Sequence, residues 1–351
     1  MRNVLLRDMA EVYQLAALHN PARVRKLFQA VADIERDALV AVKLHMGELI
    51  NYRFIRPPFV RELVMAIKEA GGKPFLTDTT TLYPRARHNA VDYLETARRN
   101  GFNFATVGAP VLIADGLKGE SGVTVGTGGT LLTEIELGQA IYEADYLVVV
   151  SHCTGHISIG YAGALKNLGM GCSSKNGKRA VHRFSIPLVD HDTCERCESC
   201  VAACPYAAIR LEDVPVIDAQ TCVGCPRCIS ACPTGAMHHP EGWFEQYITA
   251  LVEAANAVLR KFGAQRCFIN FLTDVTAMCD CVIQQEPLLP DLGALASRDL
   301  LSVEQASYDL IRAAAGRDLF QELFGMTTER QFSLAELLGM GERTYTVTTL
   351  S

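Results

Sequence analysis

The chain has 351 residues, 49% hydrophobic and 21% charged, enough apolar mass for about two packed domains and too much for a disordered or fibrous protein. Its 33 Lys and Arg against 39 Asp and Glu leave a formal charge of −6, the wrong sign for a nucleic-acid partner. No apolar stretch reaches the roughly 20 residues of a membrane span, and residues 1–8 run into charge without a signal-type core, so a cytoplasmic protein is expected.

Residues 38–44 are a short apolar run read as a strand, and 60–70 read as a helix stopped by Gly71-Gly72. Residues 73–77 read as a second strand, followed by a helix over 85–100 with Gly101 beyond its end. A further helix is expected over 133–143. The β-branched run 146–150 reads as a strand buried on both faces. Far downstream, 244–262 reads helical and 267–271 as another strand. Such alternation predicts an α/β fold, a mostly parallel sheet with helices on both faces. Gly126-Thr127-Gly128-Gly129-Thr130 matches neither the dinucleotide fingerprint nor a P-loop.

In open α/β sheets ligands sit beyond the carboxyl ends of the strands. Three polar stretches follow predicted strands: His45-Met46-Gly47-Glu48, Thr77-Asp78-Thr79-Thr80-Thr81 and Ser151-His152-Cys153-Thr154-Gly155-His156. Any one alone reads as a cap or turn; together they predict a convergent site using His45, Glu48, Asp78, His152 and His156. The next stretch is rich in glycine, with Gly160, Gly163, Gly169 and Gly171 suggesting backbone close to a ligand or a tight helix start. Lys166 lies there among small and apolar neighbours. Desolvation would lower its pKa and make it a base, nucleophile or anion anchor; the alternative is a surface lysine on a helix. His152, His156 and Lys166 are the candidate catalytic groups, and His182 a candidate substrate or cofactor ligand.

Eight of the thirteen cysteines form two runs, Cys194-x2-Cys197-x2-Cys200-x3-Cys204-Pro205 and Cys222-x2-Cys225-x2-Cys228-x3-Cys232-Pro233, offset by 28 positions. This is the spacing of bacterial two-cluster ferredoxins, in which the fourth cysteine of each run ligates the other cluster. Cys194, Cys197, Cys200 and Cys232 would hold one 4Fe-4S cluster, and Cys222, Cys225, Cys228 and Cys204 the second. Paired zinc sites are the alternative, although zinc knuckles usually stand further apart. Residues 208–211 and 216–218 read as hairpin strands over such a core. A small α+β ferredoxin-like module over 188–240 would therefore interrupt the α/β body, splitting it into 1–187 and 241–351. Of the other cysteines, Cys153 and Cys172 flank the histidine-lysine segment and Cys267 reads as an inert core thiol. Cys279-Asp280-Cys281 reads as a loop for a metal, a further cluster, a bound cofactor or redox thiols.

Lys43-Leu44-His45-Met46-Gly47-Glu48, Thr77-Asp78-Thr79-Thr80-Thr81-Leu82-Tyr83, Ser151-His152-x3-His156, Gly160-Tyr161-x-Gly163-Ala164-x-Lys166-Asn167-Leu168-Gly169-Met170-Gly171-Cys172 and Cys279-Asp280-Cys281 resemble the domain-of-unknown-function 362 family, over about residues 40–310, with an inserted two-cluster ferredoxin. Thr154 stands where that family has a lysine between its two histidines. A more distant likeness joins His156, Lys166 and His182 to the nickel-pincer lactate racemases. That resemblance implies a proton carrier at His156, an anchor for a pyridinium-derived cofactor at Lys166 and a nickel ligand at His182. The arginines that grip a hydroxy-acid carboxylate there are missing from residues 77–81, with Arg56 the nearest substitute, so a shared ancestry is implied rather than a shared reaction. The leading expectation is an oxidoreductase passing electrons through two 4Fe-4S clusters to a substrate or cofactor on the α/β body. Its partner would be a redox protein or small-molecule electron donor, and the chain could form a homo-oligomer. The alternatives are a non-catalytic electron carrier or accessory protein, and an isomerase or lyase related to the racemases.

Overall fold

The apolar runs assemble into one eight-stranded sheet in a computed structural model that describes residues 9–282 and 286–351. Residues 1–8, read above for a leader, lie outside the described residues. The strands are β1 Ala10–Leu15, β2 Leu39–Lys43, β3 Lys73–Asp78, β4 Val111–Ile113, β5 Tyr146–His152, β6 Arg266–Leu272, β7 Gly293–Ser297 and β8 Tyr345–Thr349. Their order across the sheet is 8-1-7-6-5-2-3-4. Five of the seven pairings are parallel, and β7 runs against both its neighbours.

Side-chain alternation along the central strands feeds two cores. Tyr146, Val148 and Val150 of β5 join Val40 and Val42 of β2 and Ile269 and Phe271 of β6 on one face; Leu147 and Val149 join Ala41 and Phe268 on the other. The first core lies under helices α1 Val24–Val31, α2 Pro57–Glu69 and α3 Ala90–Arg99. The second lies under α4 Ala164–Gly169, α5 Lys175–His182, α6 Trp243–Phe262 and α7 Leu300–Ala315. Each fully buried valine or leucine in these layers contributes about 1.5–3 kcal/mol. Helices therefore cover both faces, as the alternation requires.

Two expected helices differ. Residues 134–138 are a strand, paired antiparallel with Gly122–Gly126, and only Gln139–Tyr142 turns helical. Ile135 and Leu137 are buried at period two between exposed or half-buried glutamates, which decides for strand. The helix expected from residue 85 starts at Ala90, because Asn89 caps it by accepting the Asp92 N–H at 3.0 Å.

The cysteine-rich segment builds small sheets of its own. Leu188–Val189 pairs with Met237–His238, and Ile209–Leu211 with Pro215–Ile217, both antiparallel. The 28-residue repeat recurs in the backbone: helices Ser199–Ala203 and Arg227–Ser230 begin at equivalent positions. Arg196 and Gly224, and Ala207 and Gly235, all take positive φ. Cys200, Ile209, Cys228 and Met237 form an apolar cluster separate from the two cores of the sheet. Among the described residues no helix is long and apolar enough to cross a membrane.

Candidate functional site

Strands β2, β3, β5 and β6 run parallel and end at one edge of the sheet, delivering Lys43, Asp78, His152 and Thr273 to one place. At its floor, Lys43 Nζ lies 2.9 Å from Asp78 Oδ1 and 2.6 Å from Asn167 Oδ1. The Asn167 amide donates to the Val150 carbonyl and to Ser151 Oγ, each at 3.0 Å. Tyr93 donates its hydroxyl proton to Asp78. Burial would raise the Asp78 carboxyl, but Lys43, His45 and Arg87 outweigh it and hold it below the usual range. Arg87, itself buried, donates to Glu48 Oε2 at 3.2 Å and to the Tyr83 hydroxyl.

Above this floor stand the histidines, Lys166 and the Cys279–Cys281 loop. His152 presents Nδ1 to Asp280 Oδ1 at 2.7 Å and Nε2 to the Thr273 carbonyl at 2.6 Å. Both nitrogens face acceptors, so the ring donates twice. Burial opposes that charge, but Asp280 and the Thr273 carbonyl raise the pKa above the ordinary value. His45 Nδ1 accepts the Gly47 N–H at 3.0 Å, and its Nε2 lies 3.4 Å from Cys281 Sγ. His156 Nδ1 accepts the Ser158 N–H at 3.1 Å. Desolvation, then Lys166, drives the His156 pKa well below its ordinary value, so its Nε2 carries a proton on a neutral ring. His182, 5.4 Å from the Tyr247 ring, is pushed down to about 4 by burial and by Lys178 and Lys166. Among the described residues its Nδ1 has no hydrogen-bond partner, though it is buried. Burial also lowers Lys178, to about 8. Lys166 goes the other way: desolvation would lower it, but Cys279, Cys281 and Asp280 hold it above the ordinary lysine value.

The fold thus gathers His45, Glu48, Asp78, His152, His156, Lys166, His182, Cys279, Asp280 and Cys281 at one edge, joined by contacts or by electrostatic coupling. Sequence reasoning missed Lys43, Tyr83, Arg87, Asn167 and Lys178. Two signals were available: a lysine inside the apolar run of β2, and Lys175, Lys178 and His182 at i, i+3 and i+7 on one face of α5. Arg56 is not free to grip a substrate, since it pairs with Asp274 at 2.6 Å. Two singled-out glycines answer to protein groups instead of a ligand. A Cβ at Gly163 would stand 2.3 Å from Glu304 Oε1, and one at Gly171 would stand 2.3 Å from Lys43 Nζ. The glycine-rich loop at 126–130 wraps the carboxylate of Glu253, which accepts the Thr130 and Leu132 N–H groups at 2.7 and 2.6 Å. Cys153, Cys172 and Cys267 are fully buried, and burial pushes the Cys172 and Cys267 thiols up to about 12.

Two cavities open inside the cysteine-rich segment. One is lined by Cys194, Cys197, Cys200 and Cys232. The other is lined by Cys204, Cys222, Cys225 and Cys228 together with Pro187 and Tyr206. Backbone N–H groups of Ala208, Gly224 and Met237 donate to Cys204, Cys222 and Cys232 sulfurs at 3.4 Å each. Among the described residues no three His, Cys, Asp or Glu side chains converge on a single-ion site. The second cavity is the one beside the body. A Cβ at Gly224 would stand 2.1 Å from Ser185 Oγ, and a cleft between Arg179 and His88 of the body and Tyr206 and Cys222 of the segment adjoins it.

The sequence matches the family profile described as domain of unknown function (DUF362) across residues 40–309. The chain belongs to the DUF362 family. Among curated proteins none matches this DUF362 chain. Among the solved structures that resemble it are two proteins from thermophilic bacteria. One is the lactate racemase apoprotein from Thermoanaerobacterium thermosaccharolyticum, at 11% identity and a TM-score of 0.45, covering 87% of this chain and 57% of that one. The other is a protein from Thermotoga maritima, at 10% identity and a TM-score of 0.43, covering 85% of this chain and 58% of that one. This chain therefore spans less than two thirds of the length of either structure.

Proposed function

We propose that this DUF362 chain is an iron–sulfur oxidoreductase: its cysteine-rich segment holds two 4Fe-4S clusters, and its sheet edge holds the substrate or cofactor that exchanges electrons with them. The observation that carries the reading is the pair of cavities, each lined by three cysteines of one run and the fourth cysteine of the other. The sulfurs stand around the walls of a cavity instead of meeting at a point, which suits a cube better than a lone zinc ion. When bound, the clusters supply one-electron transfer at potentials set by hydrogen bonds to sulfur and by exposure.

The chain's own groups do the rest. The Ala208, Gly224 and Met237 N–H groups stabilise negative charge on cysteine sulfur. On the body, Lys166 and Arg87 concentrate positive charge and suit an anionic ligand. Neutral His156, with its proton on Nε2, is placed to give a hydrogen bond to that ligand. His152 has no free nitrogen, so it orients Asp280 and moves no proton.

Protein purified without oxygen is expected to carry about eight irons and about eight acid-labile sulfides per chain. The crossed assignment is tested with double variants. Cys194→Ser with Cys232→Ser empties one cavity and leaves about four irons, whereas Cys194→Ser with Cys204→Ser damages both. Zinc in place of iron, with no sulfide, would overturn the reading.

A further inference from the structure

Cys279 and Cys281 are half-buried, two residues apart on one loop, and each thiol's titration is governed first by the other. Lys166 is coupled electrostatically to Cys279 and Cys281, and His45 Nε2 lies 3.4 Å from Cys281 Sγ. The loop between them is pinned from both sides. Asn51 donates its amide to the Asp280 and Val282 carbonyls at 3.2 and 2.9 Å, and His152 fixes the Asp280 carboxylate. This is an electropositive, partly accessible setting, the kind that distinguishes a reactive thiol from the inert core thiols Cys153, Cys172 and Cys267.

We propose that Cys279 and Cys281 are a redox-active dithiol–disulfide couple that stores, as a pair, electrons arriving singly. The source of those electrons rests on the iron–sulfur reading; the couple itself does not, since any soluble dithiol can reduce it. In the reduced state Cys281 is a thiolate, Cys279 the thiol donating to it, and Lys166 an ammonium. Oxidation forms one S–S bond and breaks the Cys279 S–H bond. Two electrons leave, to a two-electron acceptor or to two one-electron carriers of the ferredoxin class. Two protons leave with them, one from Cys279 and one from Lys166, because the sulfur charge that offset the burial of the ammonium is gone. The other groups facing the pair are His45, Tyr83, Arg87 and Asp280, with His156 and Tyr247 within electrostatic reach. Arg87 stays charged and both tyrosines, raised by burial, stay neutral; Lys166, which Cys279 and Cys281 hold charged against its burial, is assigned as the group that follows the sulfur charge.

The test uses the full chain, prepared without oxygen and equilibrated in mixtures of oxidised and reduced dithiothreitol between about pH 6 and 8. Samples are quenched in denaturant with N-ethylmaleimide and digested with trypsin. Cleavage after Arg266 and Arg298 puts Cys267, Cys279 and Cys281 on one peptide, with Cys267 as the internal control. The expected result is a single two-electron transition. The oxidised peptide is about 2 Da lighter and takes a maleimide only at Cys267; the reduced one takes three. Dithiothreitol disulfide also takes up two protons on reduction in this range, so the protein's midpoint potential should fall about 59 mV per pH unit while its midpoint dithiothreitol ratio stays constant; in Lys166→Met, which releases one proton, the potential should fall about 30 mV per pH unit and the ratio shift about tenfold. Three maleimides at every dithiothreitol ratio would overturn the couple, as would Cys279 or Cys281 pairing elsewhere. An unchanged slope in Lys166→Met would overturn the proton assignment. Iron counted on the same sample separates the two readings: the transition without iron removes the proposed electron source alone, and iron without the transition removes the dithiol alone.

Discussion

His152 shows how much one side chain's role depends on partners remote in sequence. Its ring is 3% exposed and lies between Asp280 and the Thr273 carbonyl, so the residue type suggests an acid or base while the contacts make it a fixed imidazolium. Its pKa is raised in the folded state, opposed by burial but driven by Asp280 and the carbonyl. Its contribution is therefore complete below the unfolded value of about 6.5 and is lost as pH rises through the folded value. His152→Asn leaves Asp280 buried without its partner and should cost about 3 kcal/mol at about pH 6. Urea unfolding of both proteins from about pH 6 to 9 checks the sign: the gap between them should narrow as the pH increases. A gap that widens would mean that the ring is neutral in the native state.

The helix α4 has six residues, too few to hold together in water by hydrogen bonding alone. Glu304, on α7, reaches its first turn and accepts the Ala164 and Leu165 N–H groups at 2.7 and 3.1 Å, and the Asn270 amide at 2.8 Å. Burial raises the pKa of that carboxyl against these bonds, and Gly163 is the residue that lets it approach. Through this cap α7 sets where Lys166 and Asn167 stand. Glu304→Ala, which strands these donors, should cost about 3 kcal/mol, and Glu304→Gln about 1 kcal/mol because one acceptor oxygen remains. Thermal and urea denaturation would check the order. None of this was legible locally, since the cap and the helix lie 140 residues apart. The parallel strands were legible because a strand buried on both faces is an unbroken apolar run, as at 146–150. The strand Glu134–Gly138 was not, because Leu132, Ile135 and Ile141 also fit a helical spacing over so short a window. In the site, histidines and paired cysteines announce their chemistry by type. Arg87 and Lys178 do not, because a basic residue looks solvated until distant partners bury it.

At the scale of the molecule, the spacing of the eight cysteines was readable because each cysteine run is local, while the side of the segment that meets the body depends on Ser185, Gly224 and the cleft beside Arg179, which no spacing encodes. We propose that residues 188–240 are an autonomous insertion. The segment leaves and re-enters the body at adjacent points: Val189 lies opposite Met237 and Leu188 opposite His238 in an antiparallel pair. Its apolar cluster of Cys200, Ile209, Cys228 and Met237 is separate from the cores on either face of the sheet. Residues 190–236 can then be replaced by Asn-Gly, whose left-handed preference closes a two-residue hairpin in the register already present. The shortened chain should keep its far-ultraviolet circular dichroism in proportion to the residues retained and unfold in one cooperative transition, within a few degrees of the parent. It should bind no iron, yet still form the Cys279–Cys281 disulfide in dithiothreitol buffers. Loss of the cooperative transition would mean that the segment is part of the body's core, and that these two parts of the chain fold as one unit.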